Sequence, residues 1–118
     1  MGKVIVFCCD AAYYGLNMVS KLIELPEDVE VVRVPCLGRV EFEAVVRALL
    51  DSANVVLAGC HENNCKNIDG SRLAKMRVEL LRRMLEFVGM DADRVKHLEI
   101  STYEGLKLAE FLNEFAAR

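Results

Sequence analysis

Short runs rich in valine and isoleucine alternate along the chain with longer segments in which apolar residues recur at helical spacing. Residues 3–8, 30–35 and 54–59 form three such runs, each short enough and β-branched enough to be a strand inside a covered sheet. A fourth, residues 95–100, sets Val95, His97 and Glu99 against Lys96, Leu98 and Ile100. That alternation predicts an edge strand with one wet face, and leaves His97 facing solvent without a role.

The segments between the runs read as helices. Leu16, Val19 and Ile23 mark one over 14–25, closed by Pro26. Phe42, Val45, Val46, Leu49 and Leu50 mark a second. In a long third helix Leu73, Met76, Leu80, Met84 and Val88 share one stripe, with Gly89 as its terminator. Ser101 and Glu104 form a capping box before a last helix, whose core stripe is Leu108, Phe111, Leu112 and Phe115. Strands alternating with helices predict an α/β fold of three layers: a four-stranded parallel sheet in the flavodoxin-like order 2-1-3-4 with helices on both faces.

Length and composition narrow the picture. The 118 residues suffice for one core, so residues 1–118 are expected to be a single domain. A net charge of -3 argues against a general nucleic-acid binder, which needs a basic surface. The apolar run after MGK meets Asp10 too soon for a signal peptide or a membrane span, so a cytoplasmic protein with no membrane contact is expected.

Five cysteines, an odd number in that setting, point to ligation or redox chemistry over a disulfide framework. Written to end on cysteine, three strands read VIVFCC, VVRVPC and VVLAGC, which places Cys9, Cys36 and Cys60 in apparent register at one rim of the sheet. Cys65 follows in GCHENNC, where the C-x4-C spacing lets both sulfurs turn to one centre. Four thiolates suit an iron-sulfur cluster or a structural zinc, and spacing alone does not choose. The C-x4-C element leans toward a 2Fe-2S cluster, and the paired C-x2-C knuckles of a zinc finger are missing.

Cys8, on the strand itself, reads as a core thiol and stands as the alternate to Cys9. His61 is a candidate hydrogen-bond donor near the sulfurs rather than a ligand, and Asp10 reads as a turn residue. Gly38 and Gly59 would let backbone approach a cofactor, and Arg39 would offset its negative charge or pair with a partner. Arg72, Lys75, Arg82 and Arg83 suggest a basic outer face on the long helix.

Catalytic readings fare worse. A phosphatase of this architecture needs an arginine six residues after its cysteine, where Cys8, Cys9 and Cys60 offer Tyr14, Gly15 and Lys66. No C-x-x-C dithiol and no glycine-rich phosphate loop occurs. A zinc-stabilised interaction domain and, distantly, a cysteine-dependent phosphatase stay as alternatives to electron transfer.

Taken in order, FCCD, VPCLGRV, AGCHENNC, SRLAKMRVELLRRML and STYEGLKLAEFLNEF resemble, over nearly the whole chain, the delta subunit of methyl-viologen-reducing hydrogenase. The resemblance implies an electron-transfer subunit with one 2Fe-2S cluster. It would relay electrons from a hydrogenase or a formate dehydrogenase to the flavin-containing A-type component of a heterodisulfide reductase complex, where electron bifurcation takes place. It also implies that the ligands fall on Cys36, Cys60, Cys65 and one of Cys8 and Cys9. Many relatives read CC-x-x-C at the first strand, and here Ala12 takes the third cysteine's place.

Overall fold

The structure is a computed structural model, and it describes residues 3–20, 22–35, 37, 40, 42–51, 53–59, 70–100 and 102–116. Four strands, β1 (Val4–Cys8), β2 (Val29–Arg33), β3 (Asn54–Gly59) and β4 (Val95–Glu99), form one parallel sheet in the order β2-β1-β3-β4. The helices are α1 (Asp10–Val19), α2 (Phe42–Leu50), α3 (Gly70–Phe87) and α4 (Gly105–Ala116). Right-handed crossovers put α1 on one face of the sheet and α2 and α3 on the other. α4 packs against α1, which completes three layers. The expected α/β fold and strand order are what the structure has.

β1 and β3 are the centre of the sheet. Val4, Val6, Cys8, Val55, Val56 and Ala58 have no exposed surface, as strands covered on both faces require. β4 is the edge strand its alternation predicts, but neither face is wet: Val95 and Ile100 are buried and Lys96, Leu98 and Glu99 half-buried. His97 is half-buried too, opposite Leu57 with its Nε2 buried, so it does not point into solvent as expected.

Two helices depart from the sequence reading. α1 begins at Asp10, four residues earlier than the apolar spacing suggests, because Cys9 leaves the strand in an extended conformation and caps it. It ends at Val19 and not at Pro26: the Ser20 hydroxyl donates to the Asn17 carbonyl at 2.7 Å, a local bond that competes with further helix. Ile23 still packs on the core from the following turn. In α3 the buried side chains are Ala74, Val78, Leu81 and Leu85, whereas Leu73, Met76, Leu80, Met84 and Val88 are exposed. The helix has two apolar faces, and the one with the small residues Ala74 and Val78 lies inward, where it lets the helix approach the sheet.

Local chemistry locks the joints. Gly89 adopts φ +82°, its N–H donates to the Glu86 carbonyl, and the Met90 N–H donates to the Leu85 carbonyl, so α3 ends in a Schellman motif as its terminal glycine predicts. Arg94 spans the gap between layers: Nη2 donates to the carbonyls of Leu49 at 2.8 Å and Ala53 at 3.0 Å, closing the end of α2. The last helix opens with a 3-10 turn, Thr102–Glu104, and Ser101 of the expected capping box lies outside the described residues. Leu108, Leu112 and Phe115 are buried as expected, and the Phe115 ring stacks on Phe111 at 5.4 Å between centroids.

Gly105 starts α4 directly against the backbone of α1, where an added Cβ would collide with the Gly15 carbonyl. Rigid backbone cannot yield as a side chain would, so Gly105→Ala should destabilise the fold by about 2 kcal/mol, measurable as a fall in the urea midpoint. Replacing Arg94 by methionine leaves two carbonyls without their donor and should cost about 1–3 kcal/mol by the same measurement.

Candidate metal centre

All four strands run the same way, so their carboxyl ends share one rim. β1 ends at Cys8, β2 at Arg33 and β3 at Gly59. The pairing sets Cys8 opposite Arg33 on one side and Ala58 on the other. One step further, Cys9 stands level with Val34 and Gly59, so in sequence Cys60 falls one residue past that level and Cys36 two. The equal spacing of the three cysteines in sequence thus does not match the register of the strands that precede them.

Cys8 and Cys9 have different surroundings despite being neighbours. Cys8 is the last residue of β1, wholly buried in the apolar core. Burial, with a smaller push from the Cys9 sulfur, raises its thiol to about 12, so it stays protonated at neutral pH. It has the character of the core thiol expected from the sequence.

Cys9 is the hinge between β1 and α1. Its N–H donates to the Ala58 carbonyl at 3.1 Å, the final bond toward β3, and its own carbonyl accepts from the Tyr13 N–H at 2.8 Å, the first bond of the helix. Its Sγ accepts the Ala12 N–H at 3.5 Å. The sulfur thus sits at the positive end of a ten-residue helix and takes one of the amides left over there. Ala12 supplies the amide from its backbone, and its side chain is buried.

Other rim residues do work the sequence did not disclose. Asp10 is the first residue of α1 rather than a turn residue, and accepts from Arg33 Nε at 2.9 Å. Arg33 also lies over the Tyr13 ring, 5.2 Å from its centroid, so the pair ties the end of β2 to the start of α1. Only the alternation of charge between Asp10 and Arg33 across a strand end could have signalled this. At Gly59 the space a Cβ would need is filled by Leu37, whose Cγ would lie 2.7 Å away, and the Gly59 carbonyl accepts from the Ile100 N–H at 2.6 Å. Packing of Leu37 is thus one reason for glycine at this strand end.

Cys36, Gly38, Arg39, Cys60, His61 and Cys65 lie outside the described residues. Among the described residues no group of three His, Cys, Asp or Glu side chains is placed to hold a metal, since only Cys8 and Cys9 of the five cysteines are there. The basic face expected on α3 is not continuous. Arg82 folds back toward β4, donating to the Val95 carbonyl at 2.6 Å and to Asp93, and Glu79 and Glu86 stand exposed beside Lys75 and Arg83. No helix among the described residues is long and apolar enough to cross a membrane.

Comparison with known proteins agrees with the motifs. The family model for methyl-viologen-reducing hydrogenase, delta subunit, matches residues 4–118. The D-type iron-sulfur subunit of the F420-non-reducing hydrogenase of Archaeoglobus profundus is 40% identical over 116 residues, spanning 97% of this chain and 85% of the relative. The D-type iron-sulfur subunit of the vhu F420-non-reducing hydrogenase of Methanopyrus kandleri is 32% identical over 118 residues, spanning 98% and 89%. A third relative is much longer: the A-type subunit of the ferredoxin/F(420)H(2)-dependent CoB-CoM heterodisulfide reductase of Methanosarcina acetivorans is 32% identical over 115 residues, 95% of this chain but 14% of that protein. With the fold, the rim cysteines and a match over nearly its full length, the chain belongs to the family of methyl-viologen-reducing hydrogenase delta subunits.

Proposed function

We propose that this chain is a cytoplasmic electron-transfer subunit that holds one 2Fe-2S cluster through Cys9, Cys36, Cys60 and Cys65. It passes electrons from a hydrogenase or a formate dehydrogenase to the flavin-containing A-type component of a heterodisulfide reductase-type bifurcating complex. The observation that carries the reading is the placement of Cys9, a soft donor fixed at the sheet rim, capped by an amide and seated on a helix N-terminus. Relatives named as iron-sulfur subunits support the cofactor class. Occurrence of the same domain inside A-type heterodisulfide reductase chains supports the partner, because domains that exchange electrons profit from being held together.

When bound, such a cluster supplies a one-electron carrier whose potential follows net charge, hydrogen bonds to sulfur and exposure. The chain's own residues set those quantities. The Ala12 N–H draws electron density from Cys9 Sγ, and the two backbone bonds on either side of Cys9 hold that sulfur still between oxidation states. Gly38 would line the cluster, Gly59 ends the strand from which the Cys60 loop leaves, Arg39 would balance the cluster's charge, and His61 would donate to a sulfur. Cys8 stays in the core and takes no part.

The two adjacent cysteines provide the test. In anaerobically purified protein, Cys9→Ala should lose the cluster's visible absorption and its electron paramagnetic resonance signal. Cys8→Ala should keep both and lose about 1 kcal/mol of stability from the cavity left behind. Retention of the cluster in Cys9→Ala would contradict the assignment of the ligand. Zinc without acid-labile sulfide in the unaltered chain would replace the electron carrier by a zinc-stabilised interaction domain.

A further inference from the structure

The outer stripe of α3 goes unused by the core and by the metal centre. Leu73 is 40% exposed, Met76 57%, Leu80 57%, Met84 48% and Phe87 92%, a row of large apolar side chains along one flank of the helix. Their spacing of three, four, four and three residues keeps the row straight, as in the seam of a two-helix coil. It is also symmetric about Leu80: Met76 and Met84 stand four residues to either side, and Leu73 and Phe87 seven.

We propose that this face is an interface between two copies of the chain, with α3 packing antiparallel on its counterpart about a two-fold axis through Leu80. In that arrangement every apolar layer meets an apolar layer: Leu80 on Leu80, Met76 on Met84, Leu73 on Phe87. A two-fold contact must be self-complementary, and a row that reads alike in both directions satisfies that requirement.

The charges beside the row reverse in the matching way. Glu79 and Arg83 are exposed beside it on one flank. Reversal about Leu80 brings Glu79 to within two residues, a rise of about 3 Å, of the other copy's Arg83, well inside the reach of the long side chain. The pair occurs twice across the axis, whereas a parallel pairing would leave Glu79 and the other copy's Arg83 on opposite flanks. This self-complementarity favours a second copy over an unrelated partner, and it holds independently of the cluster.

A stable interface of ordinary size covers about 800 Å² on each partner. One helix flank about 21 Å long from Leu73 to Phe87 offers less, so the dimer should be reversible, with dissociation in the micromolar range.

Sedimentation equilibrium of the anaerobically purified full chain, from about 1 μM to about 500 μM, reads the association directly. A concentration-dependent dimer is expected. Leu80→Glu should make it monomeric while leaving the thermal midpoint and circular dichroism unchanged, since Leu80 supports nothing in the core. Glu79→Arg and Arg83→Glu should each weaken the dimer about tenfold, and the double variant should restore it, because the ion pair re-forms with its signs exchanged. A monomer across the whole range, or a dimer that survives Leu80→Glu, would overturn the proposal. So would a monomer whose Leu80→Glu form loses binding to an A-type heterodisulfide reductase chain, which would give the stripe to that partner.

Discussion

Everything at the functional end of this molecule depends on β1 being held between two parallel neighbours. Its residues pair with β2 on one side and β3 on the other, and Val4, Val6 and Cys8 are sealed from water between the helical layers. The ladder runs out at Cys9, whose N–H still reaches Ala58 while Val34 reaches back to the Cys8 carbonyl. Past that point a chain with unpaired amides must leave the sheet or start a helix, and it starts a helix. Parallel pairing makes the neighbouring strands finish at the same rim, so the segments bearing Cys36 and Cys60 leave from beside Cys9. A four-cysteine site here requires only that each strand be followed closely by a sulfur.

The constraint also separates two residues that sequence alone treats as equals. Adjacent strand positions point to opposite faces, yet the difference between Cys8 and Cys9 is larger than an alternation of faces. One lies inside the sheet, where burial keeps it protonated with its thiol raised to about 12. The other is the first residue beyond the sheet, buried too at 4% exposure, with its sulfur accepting the Ala12 N–H at the start of a helix. A single step along the chain exchanges a strand residue for a helix cap.

The strands, their order and the terminal glycine of α3 were legible in the sequence because they rest on short-range signals: β-branched runs, alternation, and a glycine after a helical stripe. Two features were hidden. The start of α1 was hidden because its cap is a cysteine, a residue that seldom fills that position and gives no capping signature. The inner face of α3 was hidden because the helix has apolar residues on two flanks, and the larger ones drew the assignment. Volume decided otherwise, with Ala74 and Val78 inward and Met76 and Leu80 outward. At the rim, the apparent register of the cysteines ignored the offsets that pairing imposes on the strands before them. Those offsets need long-range contacts to be known.

We infer that the rim of this sheet carries a sulfur-ligated two-iron centre. Iron and acid-labile sulfide, determined together on the anaerobically purified chain with Mössbauer spectra of its reduced form, bear on that centre without intermediate steps. About two irons and two sulfides per chain are expected, with a reduced state of one ferric and one ferrous site, each in tetrahedral sulfur coordination. Zinc in place of iron, or iron without sulfide, would contradict it.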